Sequence, residues 1–478
     1  MHANKSTAFQ RFVLSSYFVW IASVVFGLYM FGWSSRWTFD PTLVQNYEPW
    51  RFFTAQANSM INGHFWVPDT ALGFECFIID ERCVGYFGIF PSILRIPLVF
   101  LFGSSIPEFN SVFISIAAVI VLWSSLDLCL RLLRKEHSDS PRFNAWFMVI
   151  VAIVLGPASN LLFVFDPYMY QESIMWSLAG FLLAMNLFWR WTHERRSWQI
   201  TGMILACAAS AGSRPTTVMT GLLLTIGVLV FLRKDRSALI RNSFKLILLA
   251  LLPFAATFGV LTLKMGSPSL DFSKYRSMPV LQHVADKNGG SLAYSPRYIP
   301  TTVLSYFRPD SLNIGSEWPW IRFLYGPKEN RQLAGPWYAE LKPATYLPPL
   351  EDNSMWLERH TSITNTMPLA LFATIATVVI VFRQRQWSKG LILFAAFAAP
   401  VVIFVQFAIA SRYLADMYPI FALGTIFSAS LIPQFANWGT RTKVVVTTSI
   451  SALLVFSIVT VTMLGTQYAW ITQFGGTG

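Results

Sequence analysis

The sequence predicts an all-α polytopic membrane protein with about eleven transmembrane helices and two large extracytoplasmic loops. Three observations predict it. Hydrophobic residues make up 54% of the 478-residue chain and charged residues only 13%, where a soluble domain carries about a quarter charged. Aromatic residues reach 16%, with 18 Trp and 41 Phe, a loading suited to interfacial belts and to packing in lipid. Apolar runs long enough to cross a bilayer recur along the chain. An ordinary cytosolic enzyme is excluded by this composition.

The runs cover roughly 12–34, 109–133, 143–165, 172–189, 198–213, 215–232, 243–263, 367–382, 390–410, 413–432 and 444–465. The first is too long for a signal-peptide core and lacks a small-x-small cleavage site, so it reads as a retained span. Ser213-Arg214-Pro215 divides the fifth run from the sixth, and 198–232 reads as a tight hairpin; a single kinked helix is the rival.

Charge orients the spans. With the N-terminus inside, the short inner connections collect more than half of the 36 basic residues, among them Arg131, Arg134, Arg190, Arg195, Arg233, Lys234, Arg383 and Arg441. Of the 24 acidic residues only Asp127, Glu136, Asp139, Glu194 and Asp235 fall there. The net charge of +12 is therefore mainly a topology signal. It implies a plasma-membrane protein with a cytoplasmic N-terminus and an extracytoplasmic C-terminus, and argues against a nucleic-acid partner.

Two outer segments, about 34–108 and 265–366, far exceed ordinary connections and are expected to carry function. The first holds an apolar stretch, Tyr86 to Phe102, broken by Pro91, Arg95 and Pro97. It reads as a helix lying in the interface, with Arg95 snorkelling toward headgroups.

The acids gather beyond the outer helix ends rather than at mid-membrane, where a charge costs on the order of 3 kcal/mol. That placement favours a reaction at the membrane surface over passage through it. Asp40, in Phe39-Asp40-Pro41, can take a proton from a hydroxyl nucleophile; the competing reading is a turn cap before proline. Glu48 and Asp69 stand in reserve. In Asp166-Pro167-Tyr168-Met169-Tyr170-Gln171-Glu172, the acids and Tyr168 suit a sugar or an acceptor, while Glu172 also suits the helix dipole. Arg214 and Arg412 suit a lipid phosphate; the alternative for Arg412 is an ion pair with Asp416, one turn on. Cys76 and Cys83 are disulfide candidates, with two free thiols as the alternative. Cys129 and Cys207 lie in spans, and His64 has no ligand spacing around it, so no metal site is expected from the residues.

In order and placement these pieces resemble the GT-C superfamily of polyprenyl-phosphate-sugar-dependent glycosyltransferases. The resemblance rests on span one followed by an acid-bearing loop, on Tyr86-Phe87-Gly88-Ile89-Phe90-Pro91, and on Arg214-Pro215 and Arg412-Tyr413-Leu414-Ala415-Asp416. Tyr170-Gln171-Glu172 and Ser213-Arg214-Pro215 look similar to pieces of actinobacterial polytopic proteins. The resemblance implies inverting transfer of a sugar from a polyprenyl-phosphate donor to a hydroxyl of a glycan or lipid acceptor. It places Asp40 at the family's first-loop acid. Many members carry a second acid there, where this chain has Pro41, which leaves a divalent cation an open question. Trp318, Trp320, Trp337 and Tyr338 would then wall the site. A transporter or flippase of a lipid-linked saccharide, or a non-catalytic envelope-assembly protein, are the rival readings. The transporter reading calls for related halves and midplane charges, which the sequence does not show.

Overall fold

The computed structural model describes residues 7–42, 51–136, 141–268, 296–316, 318–323, 356–357, 361–406, 408–432, 435 and 437–474. Glu48, Trp337 and Tyr338 lie outside the described residues. Among the described residues, nine helices are long and apolar enough to span a membrane, and two shorter apolar helices accompany them.

A short helix α1 (Ala8–Val13) leads into α2 (Ser16–Ser34). The first long connection holds α3 (Phe52–Ile61), the hairpin β1 (Phe77–Ile79) and β2 (Arg82–Val84), and α4 (Phe90–Phe102). Next come α5 (Asn110–Glu136), α6 (Pro141–Leu155), α7 (Met169–Glu194), α8 (Ser197–Ser213), α9 (Met219–Leu232) and α10 (Arg236–Phe254), which continues through a π-helical turn into α11 (Val260–Met265). The second long connection contributes α12 (Ile299–Phe307), β3 (Leu312–Ile314), β4 (Ile321–Phe323), β5 (Trp356–Leu357) and α13 (Ile363–Thr366). The chain closes with α14 (Pro368–Arg383), α15 (Trp387–Phe404), β6 (Ala408–Ile409), α16 (Leu414–Phe427) and α17 (Thr440–Phe474).

Each of the eleven apolar runs has a helical counterpart. The run 198–213 corresponds to α8 and 367–382 to α14, which are shorter than the rest. The 198–232 segment is a hairpin. Residues 211 and 257 meet through Thr257 Oγ1 donating to the Ala211 carbonyl, and Lys245 Nζ reaches Ser197, so α8 runs parallel to α10. Thr225 Oγ1 points at the Leu246 carbonyl and Gly221 abuts Leu249 and Pro253, so α9 runs antiparallel to α10. The chain therefore reverses at Arg214-Pro215, where proline cannot supply an amide to continue α8.

The core is the packing of α5, α7, α8 and α16, with α7 buried on almost every side. Without water to drive association, small residues and polar side chains hold such helices together. Gly180 lets α7 approach α8, where a Cβ would lie 2.5 Å from the Ala206 carbonyl. Asn160 Nδ2 donates to the Leu414 carbonyl at 2.6 Å, and Tyr418 donates to the Leu155 carbonyl at 2.7 Å. Ser177, Ser210 and Thr217 bond one another where α7 meets the α8–α9 turn. The outward faces of α2, α10 and α17 are apolar and exposed.

Both long connections lie at one end of the bundle. Arg131, Asp127, Glu194, Arg190 and Arg196 form an ion network at the other.

The first connection is stapled. A disulfide joins Cys76 to Cys83 across the β1–β2 hairpin, with Ile78 opposite Cys83. Gly88 sits so close to the Gly212 carbonyl that any side chain there would overlap it, which seats this connection on the end of α8. In α4, Phe100, Leu101 and Phe102 are exposed, as an interfacial helix requires. Arg95 does not snorkel. It is 1% exposed, because four acceptor groups inside the bundle satisfy its guanidinium: the Glu172 carboxylate, Asn110 Oδ1 and the Glu108 and Pro91 carbonyls.

Candidate functional site

Two polar clusters occupy the loop-bearing end. The first is closed. Arg95 grips Glu172 through two parallel bonds of 2.7 and 2.8 Å. It also donates to Asn110 Oδ1 at 2.7 Å and to the Glu108 carbonyl, with the Glu108 carboxylate at 3.6 Å. The rings of Phe53 and Phe113 flank the guanidinium. Glu108 in turn accepts from the amides of Phe53 and Thr54, which caps α3. Burial pushes the Glu108 carboxyl above its ordinary range, against the pull of Arg95. Glu172 is 0% exposed and both its carboxylate oxygens accept from Arg95, which ties α4 to α7.

The second cluster draws on five distant segments. From the α8–α9 turn comes Arg214, whose Nη2 lies 2.6 Å from Asp416 Oδ2 in α16. Thr216 donates to the other Asp416 oxygen at 3.4 Å. Asp416 thus pairs with Arg214, 202 positions away, and this ion pair was invisible in the one-turn spacing from Arg412. Arg412, from the 3-10 turn Ser411–Tyr413, lies 4.8 Å from the Tyr170 ring centre and 5.1 Å from that of Tyr413. Arg214 lies 5.3 Å from the same Tyr413 ring. Both arginines are half-buried. Tyr170, in the first turn of α7, donates to one oxygen of Glu75, and Tyr86 donates to the other at 3.2 Å. Burial first, then the charge of Glu75, pushes the Tyr86 hydroxyl well above its ordinary value, while Arg412 draws it back. From the second connection, Tyr306 exchanges bonds with the Ala410 carbonyl and amide, and β5 pairs with β6 just before Ser411. Burial pushes Tyr306 up as well.

Asp166 lies four residues before Tyr170 and two after the 3-10 turn Asn160–Val164, which contacts the Arg412 turn. Its side chain is buried, and its Oδ2 accepts no hydrogen bond from a described residue. Burial pushes its pKa up to about 7, with the charge of Arg36 opposing. Tyr168 occupies the N-cap position of α7, and its amide donates to the Asp166 carbonyl.

Asp40 stands apart. Its carboxylate accepts from the Thr42 amide and hydroxyl, both at 2.7 Å, and these bonds hold it below its ordinary pKa. No other described residue bonds the carboxylate, so the turn-capping geometry is the one present. Asp69 lies exposed in a 3-10 turn, with a carboxylate oxygen within 4.8 Å of the Cys76 and Cys83 sulfurs. The disulfide occupies those sulfurs, so the trio does not fit a metal ion. Trp318 and Trp320 cross at 5.0 Å on the exposed end of the β3–β4 hairpin, which packs on α17.

Next to the arginine cluster lies an apolar slot of about 390 Å³. Helices α14 and α15 both pack along α16, and residues of all three line the slot together with Phe307. Phe382, Val378, Phe394, Phe397, Phe404 and Met417 line it. Its upper end abuts the cluster: Met417 follows Asp416, and Phe307 follows Tyr306.

Sequence reasoning missed Glu75, whose only local signal was its place beside the paired cysteines, and read Tyr86 only as part of the interfacial stretch. It also missed Asp416 as the partner of Arg214.

No family model matches the chain. No curated protein matches it. Among solved structures, the chain is similar to the apo oligosaccharyltransferase of Archaeoglobus fulgidus, at 12% identity over 94% of this chain and 56% of that one, with a TM-score of 0.47. It is similar to the archaeal oligosaccharyltransferase AglB of the same organism with an inhibitory peptide and a dolichol-phosphate, at 13% identity over 95% and 56%, TM-score 0.44. The third is the same organism's enzyme tethered to an acceptor peptide, at 14% identity over 94% and 55%, TM-score 0.46. The chain spans little more than half the length of these structures.

Proposed function

We propose that this chain is a GT-C-type membrane glycosyltransferase of the plasma membrane. It moves a sugar from a polyprenyl-phosphate donor to an acceptor hydroxyl on the extracytoplasmic face, with inversion. The carrying observation is the convergence of Arg214 and Arg412 on Tyr413 and Asp416, beside an apolar slot lined by Met417 and Phe307. That is the shape of a lipid phosphate: an anionic head beside two guanidinium groups and a hydrocarbon tail in the slot. The N-terminus then lies in the cytoplasm and the C-terminus outside.

In this reading the acceptor oxygen attacks the anomeric carbon as the bond from that carbon to phosphate oxygen breaks. The electron pair leaves with the polyprenyl phosphate, and the arginines stabilise its growing charge. Asp166 takes the acceptor proton, in place of Asp40. A pKa of about 7 suits a base at neutral pH, and its Oδ2 accepts no hydrogen bond from a described residue. Single displacement inverts the anomeric centre. The acids around the arginines do not fit a divalent cation: Asp416 is held by Arg214 and Thr216, and Glu75 by two tyrosines. No step here runs through a metal.

The test uses purified protein in lipid nanodiscs with a panel of radiolabelled polyprenyl-phosphate sugars. The parent is expected to consume at least one donor, Arg412→Ala to bind it poorly, and Asp166→Asn to bind it without transfer. A parent that neither binds nor consumes any such donor would falsify the proposal.

A further inference from the structure

We infer that Glu75 is a positioning residue for Arg412, acting through Tyr170, and that the Cys76–Cys83 disulfide holds Glu75 in place for that task. The inference rests on the reading of the Arg412 cluster as a phosphate site.

The physical chain is short. Glu75 ends a 3-10 turn and is followed at once by Cys76. The disulfide ties Cys76 to Cys83, and Cys83 is held a second time by the Val67 amide, which donates to its carbonyl at 2.9 Å. Both cysteines are buried in a small core with Phe52, Phe53, Phe87 and Met169, against which Tyr86 and Tyr170 pack. The hairpin therefore presents the Glu75 carboxylate from a rigid base. One oxygen accepts from Tyr170 and the other from Tyr86. Phe87 stacks on Tyr86 at 4.3 Å and meets Tyr170 edge-on at 5.1 Å, which limits both phenols.

Tyr170 is thus fixed at its backbone by α7, at its hydroxyl by Glu75 and at its ring by Phe87. The same ring faces the Arg412 guanidinium. An arginine side chain has many rotamers, and confining it between the Tyr170 and Tyr413 rings removes most of them before a ligand arrives. A phenol that donates to a carboxylate is also polarised, so its ring attracts a cation more strongly. Glu75 never needs to touch the phosphate. It sets the surface against which the phosphate-binding group rests.

The experiment measures the affinity of nanodisc-embedded protein for unlabelled polyprenyl phosphate, the leaving group itself. The variants are Glu75→Gln, Tyr170→Phe, Tyr170→Leu, the Cys76→Ser/Cys83→Ser pair, and each of the first two combined with Arg412→Ala. Glu75→Gln and Tyr170→Phe keep shape and are expected to weaken binding by about 5- to 30-fold. Tyr170→Leu, which also removes the ring face, should weaken it further. The serine pair should resemble Glu75→Gln. Once Arg412 is alanine, Glu75→Gln and Tyr170→Phe should cost less than about 2-fold, because their effect runs through that arginine. A merely structural role would lower affinity equally in both backgrounds, and that result overturns the inference. Parent-like binding by Glu75→Gln and Tyr170→Phe overturns it too, while leaving the transferase reading intact. A parent that does not bind polyprenyl phosphate removes both.

Discussion

Replacing Arg95 with methionine should be among the most damaging single changes outside the arginine cluster. The side chain is 1% exposed, and its main partner Glu172 is 0% exposed. Removing the guanidinium leaves Glu172 and Glu108 as neighbouring carboxylates in a low-dielectric interior, with their strongest partner gone. Breaking a buried ion pair from one side costs about 3–5 kcal/mol. The lost bonds to Asn110 and to the Pro91 and Glu108 carbonyls fall within that figure. Glu172→Gln should cost less, about 1–3 kcal/mol, because Arg95 keeps Glu108 and Asn110 and the glutamine still offers an acceptor. The double variant Arg95→Met/Glu172→Leu should be more stable than the sum of the single losses by about 1–3 kcal/mol, since the two paired charges leave together and only Glu108 stays behind. Denaturant titration in detergent micelles measures all three, and limited proteolysis of the first connection reports whether α4 has come loose. If Arg95→Met unfolds at the parent's midpoint, or if the two single losses simply add, the keystone role assigned to this pair is wrong.

Other predictions follow from individual contacts. Asp166 binds a proton more tightly in the folded chain than in the unfolded one, so its contribution favours folding below about pH 4 and turns unfavourable as pH rises toward 7. Asp166→Asn should therefore raise thermal stability at pH 8 relative to the parent and leave it nearly unchanged at pH 4. The same group must be unprotonated to act as a base, so parent transfer should rise with pH through about 7, and a flat profile over pH 5.5–8 would remove Asp166 from the reaction. Gly88→Val should cost about 1–3 kcal/mol by forcing the first connection off the Gly212 carbonyl, which proteolysis near residue 88 would reveal. Val378→Trp should plug the apolar slot; affinity for a long-chain polyprenyl phosphate should fall while that for a water-soluble short-chain analogue holds. Equal losses for both lipids would place the tail elsewhere.

What was legible in the sequence is what lipid imposes locally. An apolar run must be helical to satisfy its own backbone, so the eleven runs and the Arg214-Pro215 reversal could be read residue by residue. The two long connections stood out by length and charge, and Arg214, Arg412 and Asp166 by their positions at helix ends. What only the tertiary structure decided is which charge meets which. Arg95 looked like a headgroup anchor and Glu172 like a sugar ligand until folding put them 2.7 Å apart, 77 positions removed in the chain. Asp416 looked like the neighbour of Arg412 and is held by Arg214. On paper Asp40 read as the base and Asp166 as a sugar or acceptor ligand, and packing left the first capping a turn and buried the second. The physical reason is range: the cost of exposing a peptide group to hydrocarbon acts within a single segment. The pairing of side chains depends on how segments far apart in the chain come to lie against one another.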